Sequence, residues 1–190
     1  MKSGRYTTTK SQSGITLIEL MISMAILFLI MTVGMPSMQA MLIRTQVTSQ
    51  INELSAAIRY ARHAAINDQT TAILCPTSNF SSCSADWDDP KMVFPDYDGN
   101  GTRGNDEDIL AGAGNILENF NLTGPNGTIS FQSNGSVASP ATLLLCHQDN
   151  AAEYARALTI SLQGRVKLSE DSDDNGVHED NSGTALSCTS

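Results

Sequence analysis

Gly14-Ile15-Thr16-Leu17-Ile18-Glu19-Leu20 opens a long apolar run that ends near Met35-Pro36. As a helix, the segment from Ile15 to Met35 would span about 31 Å, which matches the hydrocarbon core of a bilayer. Glu19 places one carboxylate at the edge of this segment. Because an ionised side chain is costly inside a membrane, its position indicates that a partner pairs with it.

Charge is divided unevenly along the chain. Residues 1–14 hold Lys2, Arg5 and Lys10 and no acidic residue, and so contribute +3 to the formal net charge of −9. The rest of the chain therefore carries −12, which disfavours broad binding to nucleic acid or anionic lipid and restricts any such binding to a local patch. Basic residues before an apolar helix keep its N-terminus in the cytoplasm.

Two ordinary interpretations compete for the apolar run. A secretory signal needs a small-residue cleavage site after the run, and the segment 32–36 is a poor one. A plain signal anchor fits the basic flank, but it leaves Glu19 unexplained.

The same segment resembles the processing site and N-terminal helix of type IV prepilins and of type II secretion pseudopilins. The resemblance implies that a prepilin peptidase cuts after Gly14 and that Ile15, where Phe is more usual, becomes the methylated N-terminal residue. It also implies that Glu19 pairs with the N-terminal amine of a neighbouring subunit and that Pro36 bends the helix. Such a pairing is physically reasonable because two desolvated charges are tolerated only together.

The domain organisation follows from this comparison and from the change of pattern after Pro36. We expect a cleaved leader over 1–14, a transmembrane and assembly half of the helix over 15–36, an amphipathic half over 37–68, and a β domain over 69–190. In the amphipathic half, apolar residues recur at a spacing of four and three, which predicts one stripe packed against the rest of the chain. The stripe consists of Val47, Ile51, Leu54, Ile58, Ala61 and Ala65.

Short apolar or alternating segments predict the strands of the β domain, and clusters of Asn, Asp, Ser, Gly and Pro separate them. The predicted strands cover 70–75, 91–94, 128–132, 142–146, 156–162 and 165–168. Gln163-Gly164 reads as a hairpin connection between the last two. The fold class is α+β: a long N-terminal helix followed by an antiparallel β domain, which the pilin resemblance implies is built from two small sheets.

All four cysteines fall in the β domain, and none forms a CxxC pair typical of metal or redox sites. Four cysteines allow three connectivities. The sequence favours a short-range bond between Cys75 and Cys83, and Cys146 with Cys188 would then tie down the C-terminal tail. Disulfides imply an oxidising compartment, whereas four buried free thiols are the alternative.

Motifs in the middle of the chain narrow the resemblance to one subfamily. Leu74-Cys75-Pro76, Trp87, Val93-Phe94 and the turn 99–101 before 107–110 resemble minor pilins and pseudopilins of the FimT/GspH type. This similarity implies partnership with other pilin subunits, with prepilin peptidase and with the inner membrane. It also implies a single-pass membrane protein with its β domain in the periplasm, and a location in the pilus at the cell surface after assembly.

Two kinds of motif in the β domain are candidate ligand sites, one acidic and one basic. Asp96, Asp98, Asn100 and Glu107 have the spacing of a calcium-binding loop, although the flanks look like strands and the same residues suit a polar turn. The segment 171–176 repeats the first half of this pattern, but Ser182 stands where the final acid should be.

The second motif is Gly164-Arg165-Val166-Lys167, which resembles a DNA-binding motif of some FimT-like pilins. Arg165 and Lys167, with Arg156 nearby in sequence, would form a small basic patch that contacts phosphates. The family motif has a second arginine at the position of Lys167. Lys167 keeps its positive charge but lacks the planar guanidinium group that binds phosphate at two points. The alternative is a hairpin with two exposed basic side chains.

No catalytic constellation is apparent, because none of His63, His147 and His178 has a partner at the spacing of a catalytic triad or zinc site. The sequence therefore predicts a non-enzymatic minor type IV pilin of the FimT kind, without an obligatory cofactor and with DNA as a further partner. A type II secretion pseudopilin of the GspH kind is the first alternative. A signal-anchored periplasmic binding protein that joins no fibre is the second.

Overall fold

The computed structural model describes residues 14–188, apart from the side chains of residues 33–36. One long helix, α1, spans Leu17–Asn67 and precedes two antiparallel four-stranded sheets. The strands are β1 (Thr71–Pro76), β2 (Lys91–Asp96), β3 (Ala111–Ala113), β4 (Phe120–Thr123), β5 (Ile129–Phe131), β6 (Ala141–His147), β7 (Arg156–Ile160) and β8 (Val166–Leu168). The α+β fold class is confirmed. The chain divides into two compact units at Leu42 and Ile43.

The first unit contains the apolar part of α1. Thr16 caps the helix, since its hydroxyl accepts a hydrogen bond from the backbone N–H of Glu19 at 3.3 Å. The most apolar window of α1 has a mean hydropathy of 2.3, and by length and composition the helix can cross a membrane. Residues 1–13 of the expected leader, and the side chain of Pro36, lie outside the part that the structure describes.

The second unit holds the remainder of α1 and both sheets. The predicted stripe is confirmed: Val47, Ile51, Leu54, Ile58, Ala61 and Ala65 are all buried in the main hydrophobic core. They pack there with side chains of both sheets, including Leu74, Phe131 and Leu145. The helix ends at Asn67, and Gln69 then adopts a left-handed backbone with φ of 53°.

The first sheet has the strand order β3-β2-β1-β5, and the second has β4-β6-β7-β8. β1 and β2 pair along their whole length, from Thr71 opposite Asp96 to Pro76 opposite Lys91. All six residues of β2 are buried. This places the charged residues at its two ends, Lys91 and Asp96, inside the protein.

The six predicted strands are present, with ends shifted by one or two residues. β3 and β4 were not predicted from the sequence. β3 is the three-residue segment Ala-Gly-Ala, and β4 has only two apolar residues, Phe120 and Leu122. Both are edge strands. They form because they pair with a neighbouring strand, and their own sequences carry no β pattern. The residues Ile109 and Leu110, which look like a strand in sequence, lie outside the strands.

Both expected disulfides are formed. Cys75 bonds to Cys83 and closes the turn-rich segment between them. Cys146, in β6, bonds to Cys188 and fixes the C-terminal segment to the second sheet. All four cysteines lie within the described residues and are used in these two bonds.

Candidate functional site

The apolar part of α1 presents an uncovered surface. Every side chain from residue 14 to 32 is exposed, including Ile15 and Glu19. Within the described residues the Glu19 carboxylate makes no hydrogen bond or ion pair, while its backbone carbonyl accepts one from the Ser23 hydroxyl at 2.7 Å. An apolar helix without a covering partner requires lipid or another protein surface.

A basic cleft lies where the second part of α1 meets the hairpin between β7 and β8. The cleft has a volume of about 400 Å³. Two arginines and a histidine of the helix line it, together with one arginine of the hairpin. These are Arg59, Arg62, His63 and Arg165. Residues 59, 62 and 63 share one face because helical neighbours lie three or four positions apart. The sequence motif located Arg165, but it did not reveal the helical residues, which become neighbours only in the folded chain.

Glycine is required at the junction behind this cleft. Gly164 has a φ of +70°, and a Cβ on it would lie 2.0 Å from the carbonyl oxygen of Gly135. The same carbonyl accepts a hydrogen bond from Nε of Arg62 at 3.0 Å. The first residue of the Gly-Arg-Val-Lys motif therefore brings the hairpin close to α1, and this contact places Arg165 beside the helical arginines.

The structure brings together two of the three residues predicted to contact DNA. Arg165 and Lys167 both line a neighbouring cleft of about 450 Å³, together with Asn181. Arg156 lines neither cleft. Its guanidinium instead donates hydrogen bonds to the carbonyls of Glu153 and Ala155, and burial, followed by the charge of Arg44, lowers its pKa.

The predicted calcium-loop residues also come together. One oxygen each from Asp96, Asp98 and Glu107 lie within 4.8 Å of one another. Glu107 is buried and accepts hydrogen bonds from the backbone N–H groups of Tyr97 and Gly104, at 2.8 and 2.7 Å. The fourth predicted ligand, Asn100, uses its side-chain oxygen to accept hydrogen bonds from Thr102.

Sequence reasoning missed the buried lysine at the start of β2. Lys91 is fully buried, and its Nζ has no hydrogen-bond partner among the described residues. Burial lowers the pKa of Lys91 to about 8, against the opposing effect of nearby acids, of which Asp88 and Glu53 are the strongest. No local signal reveals this burial, because a lysine at a strand end ordinarily faces solvent.

Comparison with known protein families finds two matching segments of the chain. The sequence profile of the family described as type II transport protein GspH matches residues 50–164, which is more than half of the chain. The chain belongs to the GspH family. The prokaryotic N-terminal methylation motif matches residues 9–35, a segment that contains Gly14, Ile15 and Glu19.

Two solved structures support this fold. Two crystal structures of the type IV minor pilin FimU from Pseudomonas aeruginosa superpose with TM-scores of 0.54 and 0.51. Their sequence identities to this GspH-family protein are 18% and 19%; the matches cover 67% and 65% of its chain, and 90% and 92% of theirs. The minor pseudopilin EpsH of Vibrio cholerae has a TM-score of 0.43 at 15% identity, over 62% of this chain and 93% of that one. No curated protein sequence matches the chain.

The predicted family resemblance is thereby confirmed. The GspH-family protein is a minor pilin or pseudopilin, a structural subunit of a type IV pilus or of a type II secretion system. Membership of such a family implies assembly with other pilin subunits.

Proposed function

We propose that this GspH-family protein is a FimT-like minor pilin that is cut by prepilin peptidase after Gly14, methylated at Ile15, and built into a type IV pilus through its apolar helix. The exposed side chain of Glu19, in a segment where every residue from 14 to 32 is exposed, carries this proposal. In a fibre, the helices of neighbouring subunits would cover the apolar surface. The N-terminal amine of one subunit would then neutralise Glu19 of another, because neither charge is tolerated alone in an apolar bundle.

The expected domain organisation becomes part of this proposal. The leader 1–14 is removed, the segment 15–36 crosses the inner membrane before assembly, and Pro36 bends the helix as it enters the amphipathic half, 37–68. The β domain, 69–190, folds in the periplasm and reaches the cell surface in the pilus. The two disulfides support this orientation, since such bonds persist in oxidising compartments.

The first test is N-terminal sequencing of the protein extracted from membranes. The proposal expects a methylated Ile15 at the start of the mature chain. A chain that keeps its first 14 residues would refute processing and favour the signal-anchored periplasmic protein.

The second test separates the charge of Glu19 from its shape. We expect that both Glu19→Ala and Glu19→Gln prevent incorporation into fibres while the protein still accumulates in the membrane. Ser23→Ala, one helical turn away, is the matched control and should assemble normally. Normal assembly of Glu19→Gln would show that no ion pair is needed.

A deletion strain distinguishes the two assemblies. Loss of surface pili in electron micrographs, with secretion through the type II system intact, is the expected result. Loss of secretion with normal pili would identify the protein as a type II secretion pseudopilin instead.

A second proposed function is DNA contact at the basic cleft. The observation that favours it is the grouping of Arg59, Arg62, His63 and Arg165 in one cleft, with Lys167 beside Arg165. On a chain with a net charge of −9, such a local cluster can bind phosphates, but only with strong salt dependence.

This function is tested with the compact unit from Ile43 onward in a gel-shift titration with duplex DNA at several salt concentrations. The double variant Arg165→Ala with Lys167→Ala should abolish the shift. Arg59→Ala alone should lower the slope of log affinity against log salt by about 1. Arg156→Ala is the matched control for Arg59→Ala, because each removes one positive charge and Arg156 lines neither cleft. Unchanged binding in the double variant would exclude the cleft.

A further inference from the structure

The segment that follows β8 contains a second acidic loop. Its sequence supplies Asp171 and Asp173 but places Ser182 at the position of the final acid. In the structure a different residue completes the group, because one oxygen each from Asp171, Asp173 and Glu179 lie within 4.8 Å of one another. Glu179 stands three residues before the position of the final acid, at position nine of the loop, where an EF-hand often binds its ion through water.

Backbone pairing fixes Glu179 at this loop. Its N–H donates a hydrogen bond to the carbonyl of Glu170 at 2.8 Å, and the two residues form an antiparallel bridge. Glu179 forms a second bridge with Ala185. The side chain is consequently held inside the segment and is only 6% exposed.

The carboxylate of Glu179 is only partly satisfied. Its Oε2 accepts hydrogen bonds from the backbone N–H and the hydroxyl of Ser172, at 2.7 and 2.6 Å. Its Oε1 is buried and has no hydrogen-bond partner among the described residues. Because a buried carboxylate oxygen without a partner is costly, this atom points to a ligand from outside the chain.

The chemistry of the group favours a cation as the ligand. Within residues 14–188 the single ion pair joins His147 to Asp149, so no lysine or arginine forms an ion pair with the three carboxylates. Asp171 and Asp173 accept hydrogen bonds from the N–H of Gly176 and the side chain of Asn175, both at 2.8 Å. A carboxylate oxygen can accept more than one contact, so both keep the capacity to bind a metal.

We propose that Asp171, Asp173 and Glu179 bind one calcium ion. The three side chains offer only oxygen, and calcium takes six to eight oxygen ligands in a flexible arrangement that water and backbone carbonyls can complete. The exposed Asp173 leaves one side open for such water. The ion would tie the segment after β8 to the region that Cys188 anchors, and it would stabilise the folded state by mass action.

The same proposal, one bound calcium ion, applies to the loop after β2, and a separate observation supports it. Asp96 is 6% exposed, and its Oδ1 is buried without a hydrogen-bond partner among the described residues, while Oδ2 accepts a hydrogen bond from the N–H of Gly101 at 3.2 Å. With Asp98 and Glu107 it forms the first oxygen cluster. Each loop is therefore assigned one ion.

Calorimetric titration of the full chain, purified in detergent and freed of metal with a chelator, tests both assignments with calcium chloride. We expect two binding equivalents and a rise in melting temperature with calcium. Asp173→Asn and Glu179→Gln should each remove one equivalent, and Asp98→Asn should remove the other. Asp173 is exposed, so its isosteric variant tests binding even where Glu179→Gln impairs folding.

Ser182→Ala is the matched control for the C-terminal loop, because it changes an exposed residue outside the three carboxylates, and it should retain both equivalents. A wild-type protein without saturable binding, or an unchanged stoichiometry in both Asp173→Asn and Glu179→Gln, would overturn the C-terminal site. A single wild-type equivalent that Asp173→Asn abolishes would support that site and overturn the one at Asp96.

Discussion

Replacing Lys91 by Met should stabilise this protein at neutral pH. Lys91 begins β2, is fully buried, and has an Nζ without a hydrogen-bond partner among the described residues. Burial lowers its pKa from the ordinary value of 10.5 to about 8. The full shift is worth ~3 kcal/mol at 1.36 kcal/mol per pKa unit, and residual solvent screening reduces the expected penalty to ~2 kcal/mol.

The sign follows from proton binding in the two states. Below pH 8 Lys91 is protonated in both the folded and the unfolded protein, so the penalty for burying its charge applies in full. Between pH 8 and 10.5 the unfolded chain binds more protons than the folded one, and the free energy of unfolding rises with pH. Lys91→Met removes both the penalty and this dependence on pH.

Urea unfolding of the unit from Ile43 onward, with its disulfides intact, measures the effect at pH 7 and at pH 9. The variant should exceed the wild type by ~2 kcal/mol at pH 7 and by less at pH 9. Lys167→Met, at an exposed lysine, is the matched control and should change little at either pH. A wild type with the same stability at both pH values, or a variant less stable at pH 7, would refute the reasoning.

Three further outcomes are expected from urea unfolding. Replacing both cysteines of the Cys146–Cys188 bond by Ser should cost ~4 kcal/mol, against ~3 kcal/mol for the shorter Cys75–Cys83 loop, in the chain-entropy account; an equal cost for both would contradict that account. Gly164→Ala should cost several kcal/mol more than Gly99→Ala, because both have a positive φ but only Gly164 would also place a Cβ against backbone. Trp87→Phe should cost ~1 kcal/mol through loss of the 2.9 Å hydrogen bond to the carbonyl of Pro125, and an unchanged midpoint would argue against that bond.

Local patterns were sufficient to predict the helix and most of the strands. The stripe from Val47 to Ala65 repeats at helical spacing, and burial of that one face is what selects such a pattern. Alternation at Ile129–Phe131 and the apolar run within Ala141–His147 likewise follow from packing on a single core. The short edge strands β3 and β4 lack such a pattern, since their neighbours supply the pairing.

The candidate sites were only partly predictable because their residues come from separate parts of the chain. Arg165 has a motif around it, whereas Arg59 and Arg62 join it only through the close approach of Gly164 to Gly135. Glu179 completes its cluster through a bridge to Glu170. The burial of Lys91 likewise depends on its position between β1 and β3, which no local sequence feature specifies.

The two units differ in how they satisfy their apolar surface. From Ile43 onward, α1 and both sheets share one core, and two disulfides fix the loop after β1 and the C-terminal segment. In the segment 14–32 every side chain is exposed, so its apolar surface must be covered by lipid or by other subunits. Glu19 makes lipid the less favourable of the two, because only a protein partner can supply the opposite charge at a fixed position. In the proposed function, transfer of this helix from the membrane to a fibre is favoured at Glu19, while the unit from Ile43 onward, which has a core of its own, carries the clefts and acidic loops on its surface.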